Sequence, residues 1–194
     1  MRQIAPRRLL VAAALLAALF VATAAPRAQA TMVVAKDFDA LCAEAALIFV
    51  GTVTKVESRW SDPQRQAIET EVTFGDLTWL RGGSPAQIAL RFGGGEIDGL
   101  HEAVAGVPEF TVGQRRVVFA HAGRFVSPIV GFNQGLFRVV DGDDGPVVLD
   151  ADGKAVTGVG RAGLQRGAAD DRTTALPLDD FLARVRAELA GATP

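Results

Sequence analysis

Alternation of apolar and polar side chains, the pattern of a half-buried β-strand, recurs through most of the chain after residue 46. In the stretch 67–83, Ile68, Val72 and Phe74 fall on one face and acidic or hydroxyl side chains on the other. Similar patterns predict strands within 47–57, 87–92, 113–123, 124–140 and 145–156. The last of these is a hairpin around Asp152-Gly153, a favourable two-residue turn. The pattern therefore predicts about five to seven strands.

The large apolar side chains of 67–83 change parity after Gly75-Asp76, because Leu77 and Trp79 fall on the opposite parity to Phe74. A slip of one residue moves every later side chain to the other face of a sheet, so a β-bulge is predicted near Gly75. Bulged and coiled strands are what a small closed barrel requires.

Helical spacing of apolar residues is confined to the two ends of the mature chain. In 37–47, Phe38, Leu41, Cys42 and Ala45 recur at intervals of three and four, and Asp37 is placed to cap the first turn. In 177–191 the apolar stripe consists of Leu178, Phe181, Leu182, Val185 and Leu189. Each pattern predicts one amphipathic helix.

The order of these elements predicts a mainly β protein, an OB-like small β-barrel with an N-terminal helix, an added hairpin and a C-terminal helix. The barrel domain is assigned to 31–157. Residues 158–176 are rich in Gly, Arg, Asp and Thr and lack apolar periodicity, which predicts a flexible linker. Residues 177–191 are expected to form a helix packed on the barrel.

The first thirty residues have the three parts of a secretory signal peptide. Arg2, Arg7 and Arg8 precede a 16-residue apolar run, and the segment ends in Ala28-Gln29-Ala30. The run is shorter than the ~20 residues that a membrane-spanning helix needs. Cleavage after Ala30 and export to the periplasm or the extracellular space are therefore predicted, with no membrane span in the mature chain.

Removal of 1–30 makes the protein more acidic, because all four charged residues of that segment are arginines. The mature chain keeps 16 Lys and Arg against 22 Asp and Glu, a net charge of −6. Nucleic acid and anionic membrane are disfavoured as partners, since both require a basic surface. Cys42 is the only cysteine, which excludes an intrachain disulfide and a cysteine-based zinc cluster.

Residues 93–110, GGGEIDGLHEAVAGVPEF, form the longest predicted connection between strands (hereafter the 93–110 segment). Connections of this length are usually functional or disordered. Val104, Val107, Pro108 and Phe110 offer apolar anchors that argue against disorder, so the segment is expected to fold back over one barrel mouth. The binding residues predicted in this segment and in the SRWSD turn are Trp60, Glu96, Asp98, His101, Glu102 and Phe110.

No catalytic motif is present: the chain lacks GxSxG, HExxH and GxxxxGK[ST]. Glu96, Asp98 and His101, with His121, could bind a divalent metal, whereas solvated loop charges are the alternative interpretation. The acidic stretches 141–145 and 150–153 are interpreted as β-turns, with weak calcium binding left open. The sequence predicts no cofactor, no metal site and no catalytic residues.

Several segments together resemble a group of exported bacterial proteins without an assigned activity. They are ALIFVGTVTKVES, the T-x-V-T-F strand ending in L-R-G, VAGVPEF, GQRRVVF and GFNQGLFRV. Residues 45–57 are also similar to the opening strand of the netrin-module and tissue-inhibitor-of-metalloproteinase barrels. That second resemblance implies an OB-like barrel. It does not extend to inhibition, since those inhibitors use an N-terminal cysteine and the mature chain is expected to begin Thr31-Met32-Val33.

Together these features favour a non-enzymatic binding or interaction module, because OB-like barrels often bind through their loops. Its expected partner is another envelope or extracellular protein. Two alternatives stay open: a metal-dependent hydrolase that uses Glu96, Asp98 and His101, and a structural accessory protein of the envelope.

Overall fold

A computed structural model describes residues 34–123, 125–160 and 163–191 of the chain. The predicted signal peptide, 1–30, lies outside the described residues. Within the described ranges no helix has the length and apolar character needed to cross a bilayer.

Within the described residues the protein is mainly β, with two helices. Helix α1 spans Phe38–Glu44 and helix α2 spans Leu178–Gly191. The strands, in chain order, are β1 Leu47–Trp60, β2 Ile68–Arg81, β3 Ile88–Gly93, β4 Gly95–Ile97, β5 Leu100–Glu102, β6 Arg115–Ala120, β7 Leu136–Gly142, β8 Gly145–Leu149, β9 Lys154–Gly160 and β10 Gly163–Ala169. This confirms the predicted fold class at the level of a mainly β protein with a helix at each end.

Eight strands form one antiparallel sheet in the order β10-β9-β8-β7-β6-β1-β2-β3, and β4 pairs with β5 in a separate hairpin. The sheet has two ends, β3 and β10, and the described strands contain no pairing that joins them. The expected closure into an OB-like barrel is therefore not seen in this part of the chain. One physical reason is that β9 and β10 extend the sheet beyond β8 instead of returning to its other edge.

Strand β1 lies near the middle of the sheet and is buried on both faces. Ile48 and Val50 face α1 and α2, whereas Phe49 and Val53 face the opposite cluster of apolar side chains. On the helix side, Phe181 of α2 packs its ring 5.9 Å from that of Phe38 and 5.0 Å from that of Phe137. The helices therefore cover one face of the sheet, and the second core lies on the other.

The predicted bulge near Gly75 is confirmed. Val50 pairs with Thr78, but Thr52 pairs with Gly75, so β2 contains one extra residue between these pairs. Asp76 in this bulge has a φ of 50°, a left-handed conformation that Asp tolerates better than most residues.

Gly51 of β1 is explained by close approach of a side chain. A Cβ at this position would lie 2.6 Å from Cδ2 of Leu77, a residue in the bulged stretch of β2. The bulge and the glycine are therefore two parts of one packing arrangement.

The segment 158–176 contains a strand, which corrects the expectation of a linker without regular structure. Strand β10 pairs antiparallel with β9, and Leu176 donates its backbone N–H to Val156 O at 2.7 Å. Most side chains of β10 are exposed. An edge strand of this kind needs few apolar residues, which is why the alternating pattern is missing from its sequence.

Candidate functional site

The 93–110 segment is a short hairpin followed by an irregular stretch with a turn at 105–106, not a single open loop. Strands β4 and β5 meet at Asp98-Gly99, whose φ values are 54° and 76°. Positive φ at both central residues is the requirement of a type I′ turn, for which Asp-Gly is a favoured pair. The hairpin therefore presents Glu96 and His101 directly opposite each other.

The glycine triplet at 93–95 lets the chain approach two hydroxyl groups. A Cβ on Gly95 would collide with Ser58 Oγ and Thr70 Oγ1. Thr70 Oγ1 donates to Gly94 O at 2.7 Å, and Glu96 N donates to Ser58 Oγ at 3.2 Å. The proton of Thr70 is thus committed to Gly94, so Ser58 is the donor in the 3.0 Å bond between the two hydroxyls. The result is a directed chain of bonds that fixes the base of the hairpin.

Glu102 ties the other strand of the hairpin to the main sheet. Its Oε2 accepts the backbone N–H of Ile68 at 2.8 Å. The carboxylate thus accepts the first N–H of β2. Glu102 therefore has a structural contact, in addition to its position in the predicted binding segment.

Phe110 anchors the end of the segment in the second core. Its ring lies edge-on to Phe74 with centroids 5.8 Å apart, and 4.7 Å from the ring of Phe92. The guanidinium carbon of Arg116, in β6, lies 6.0 Å from the centroid of the Phe110 ring. Val107 packs against the same core. Two of the four apolar residues that were expected to order this segment, Val107 and Phe110, therefore pack against the second core.

The structure brings together four of the six predicted binding residues. Glu96, His101, Glu102 and Phe110 line one concave pocket of about 390 Å³, which also contains the Ser58 and Thr70 hydroxyls. Asp98 lies outside it at the exposed turn, with its carboxylate 4.0 Å from Nη1 of Arg65.

Trp60 is the sixth predicted residue, and it is half-buried at the end of β1. The guanidinium of Arg65 lies 5.8 Å from the centre of its ring. Its indole Nε1 is buried and has no hydrogen-bond partner in the part of the chain that the structure describes. The ring is therefore held by the turn that follows β1 and does not line the pocket of the 93–110 segment.

The described residues contain no group of three His, Cys, Asp or Glu side chains placed to hold a metal ion. His121 does not line the pocket of the 93–110 segment, and its ring lies tilted against that of Phe125 with centroids 5.0 Å apart. In the acidic turns, Asp150 is buried and accepts from Asp152 N, Lys154 N and Arg166 Nε, which gives it a structural role. Both acidic stretches are turns between strands, as predicted.

A second concave surface, which the sequence did not indicate, runs along the edge strand β3. This β3 groove has a volume of about 620 Å³ and shares Phe92, Gly93, Glu102 and Val104 with the neighbouring pocket. At one end it is lined by Phe125 and Val126, whose exposed fractions are 51% and 53%. Exposed apolar side chains beside a groove are typical of interaction surfaces. Only the position of β3 at the sheet edge, which depends on topology, could have revealed it.

Ion pairs line the floor of the β3 groove. Glu71 accepts from Arg59 Nη2 at 3.0 Å and from Arg91 Nε at 3.1 Å, while Arg59 Nε donates to Glu69 at 2.8 Å. The hydrogen bond to Glu69 raises the pKa of Arg59. These cross-strand pairs hold polar groups in fixed positions beside the apolar end of the groove.

Comparison of the chain with protein-family models, with curated proteins and with solved structures finds no match.

Proposed function

We propose that this protein is an exported, non-enzymatic binding module that holds an extended segment of another envelope or extracellular protein along strand β3. The observation that carries the proposal is the combination of an edge strand with a groove beside it. Addition of a strand to a sheet edge gives affinity through main-chain bonds and specificity through pockets for alternate side chains.

The backbone of β3 is available for such pairing. Gly94 N bonds to Ile68 O on the β2 side, whereas Gly93 N bonds to Val126 O on the outer side. Because hydrogen-bonding direction alternates along a strand, the N–H and C=O groups of Ala89 and Arg91 point outward like those of Gly93. Both residues line the β3 groove. An incoming strand would therefore pair with Ala89 and Arg91 and end at Val126.

The side chains around the groove define the preferred ligand. Phe125 and Val126 supply apolar contacts at one end, and the ion-paired carboxylates of Glu69 and Glu71 lie beneath Arg91. A segment with alternating apolar and polar residues would place its apolar side chains against Phe125 and Val126. The 93–110 segment forms the adjoining wall through Glu102 and Val104.

The proposal is tested with a displayed library of short extended peptides, selected on the purified protein and measured by fluorescence polarisation. Phe125→Asp is expected to weaken selected peptides by about tenfold or more, since it places an unpaired charge at an apolar contact. Val112→Asp is the matched control, because Val112 is 59% exposed and lies outside the groove. Ala89→Pro removes an outward N–H and is expected to weaken binding as well.

Amide hydrogen exchange identifies the binding mode. Bound peptide is expected to slow exchange at Ala89 and Arg91. Peptides that bind Phe125→Asp as tightly as the wild type, and leave those amides unprotected, would place the site elsewhere. A library that yields no peptide sensitive to either variant would favour the structural accessory alternative.

The exported state is a separate part of the proposal, since the predicted signal lies outside the described residues. Sequencing the N-terminus of the protein recovered from the periplasmic fraction is expected to begin at Thr31. A chain that keeps residues 1–30 and stays with the cytoplasmic fraction would contradict export. The hydrolase alternative has no observation in its favour among the described residues, because they contain no three-ligand cluster.

A further inference from the structure

Two arginines face each other across the pairing of β6 and β7. Arg116 lies directly opposite Arg138 in the antiparallel register. Their neighbours Val117 and Phe137 face the helices, so both arginines project from the opposite face of the sheet. Like charges directly opposite each other in a sheet are destabilising. This pair therefore requires an explanation that stability alone does not supply.

Arg116 is nearly completely buried, with an exposed fraction of 6%, yet it lacks a charged partner among the described residues. Its Nη2 donates to the neutral amide oxygen of Gln114 at 2.6 Å, and in the same part of the chain its Nε has no hydrogen-bond partner. Within the described ranges no carboxylate forms an ion pair with it. Arg138 is more exposed, and its Nη1 forms a long ion pair with Asp170 Oδ1, at 4.0 Å.

Burial and the neighbouring Arg138 lower the pKa of Arg116 to about 10. The guanidinium therefore stays protonated at neutral pH. A buried charge of this kind is costly unless it is paired, and pairing is what the described side chains do not provide.

A cavity of about 370 Å³ lies against these arginines (hereafter the arginine cavity). Among the described residues, Arg115, Arg116 and Arg138 line it, and Asp141 is the single carboxylate in its lining. Three positive charges and one negative charge give this described lining a net charge of +2. The charge contrasts with the net −6 of the mature chain, so the arginine cavity is a local positive site on an acidic protein.

We propose that the arginine cavity binds a small phosphate monoester, with the phosphate held between Arg116 and Arg138. Guanidinium groups match phosphate oxygens in charge and geometry. A monoester carries a charge of about −1.5 to −2 at pH 7, which offsets the net charge of the lining. A single carboxylate would neutralise only one arginine. The volume leaves room for a small organic group beside the phosphate.

The test measures binding of glycerol phosphate, inorganic phosphate, sulfate and acetate to the purified protein by calorimetry at matched ionic strength. Glycerol phosphate is expected to bind most tightly and acetate most weakly. Arg138→Gln removes one charge at the more exposed wall and is expected to lower glycerol phosphate affinity by about tenfold or more. Arg186→Gln is the matched control, since Arg186 lies exposed on α2, across the sheet from the cavity.

Two further readouts separate a binding site from a merely structural arginine. Binding of glycerol phosphate should tighten as pH rises through about 6, where the monoester gains its second charge, while sulfate binding should stay constant. Arg116→Met should abolish the stabilisation by glycerol phosphate without lowering the melting temperature in its absence, because it removes an unpaired buried charge. If Arg116→Met does not fold, the affinity of Arg138→Gln for glycerol phosphate decides between a binding site and a structural arginine.

Equal affinity of Arg138→Gln and the wild type for glycerol phosphate would overturn the proposal. So would tighter binding of acetate than of glycerol phosphate. Inorganic phosphate binding as tightly as the monoester would show that the free ion, and not an ester, is the ligand. That result would overturn the ester assignment.

Discussion

Replacement of Phe110 by alanine tests whether the 93–110 segment is held by its aromatic anchor. Truncation of a fully buried Phe to Ala lowers the stability of a protein by ~3–5 kcal/mol. Phe110 is only half-buried, but its ring contacts both Phe74 and Phe92, and such aromatic pairs contribute about 0.5–1.5 kcal/mol beyond burial. The expected loss is about 2 kcal/mol, which for a domain of this size corresponds to about 4–8 °C in melting temperature.

Urea unfolding of the wild type, Phe110→Ala and Val112→Ala measures this loss. Val112 lies two residues away but is exposed, so its truncation is expected to change stability by less than about 0.5 kcal/mol. Amide exchange at Glu96 and Ile68 reports on the hairpin directly, because their N–H groups bond to Ser58 Oγ and Glu102 Oε2. Both amides should exchange faster in Phe110→Ala.

Equal stability of Phe110→Ala and Val112→Ala, with wild-type exchange rates at the two amides, would show that Phe110 does not anchor the segment. A third pattern, faster exchange with little change in global stability, would show that the segment detaches locally before the sheet unfolds. That pattern still supports Phe110 as the anchor, because the exchange effect is specific to its truncation.

Single substitutions at three other positions have expected effects on stability. Gly95→Ala should lower stability by about 2 kcal/mol in urea unfolding, because its Cβ displaces the Ser58 hydroxyl chain at a positive φ. Asp150→Ala should lower the stability by about 2–4 kcal/mol, since it leaves buried donors without an acceptor. The accompanying fall in melting temperature should be the same with and without added calcium. Burial and the Glu188 carboxylate raise the pKa of Cys42 from about 9 to about 12. The wild type should therefore lose stability relative to Cys42→Ala as pH rises above 9, while the two keep a constant difference below it.

Elements set by local chemistry could be predicted from the sequence. Asp37 caps α1 by accepting from Ala40 N at 2.8 Å, as its position before the apolar stripe indicated. The bulge at Gly75-Asp76 followed from a change of parity in the side chains themselves. Each of these features depends on residues within a few positions of one another, where propensity and spacing act directly.

The β4–β5 hairpin was also within reach of sequence reasoning. Asp98-Gly99 is the same turn pair as Asp152-Gly153, from which the β8–β9 hairpin was predicted. That hairpin is present, but residues 150–153 connect its strands and only Gly153 of the pair has a positive φ, so the predicted two-residue turn is wrong there. The difference is that β4 and β5 have three residues each and little apolar alternation. The turn was present, but the strands beside it were too short and polar to be recognised.

The β3 groove and the arginine cavity depend on long-range register, which one sequence does not determine. Nothing near Arg116 in the sequence indicates that Arg138 will lie opposite it, because the two belong to strands separated by a loop with its own turns. In the same way, 87–92 was predicted as a strand, but its place at the edge of the sheet follows only from the order of all eight strands. Periodicity identifies faces, and topology decides what those faces meet.

The positions at which the sequence departs from locally favourable choices support recognition on the side of the sheet away from the helices. The core beneath α1 and α2 consists of apolar side chains such as Phe38, Phe137 and Phe181, packed as stability requires. Arg116 and Arg138 project from the other face, where a buried charge stands opposite a like charge. Natural sequences depart from locally favourable choices mainly at functional or strained sites. Since Arg116→Met would remove the cost of this arrangement with a single substitution, its presence is better explained by a ligand that the two arginines share than by the needs of the fold.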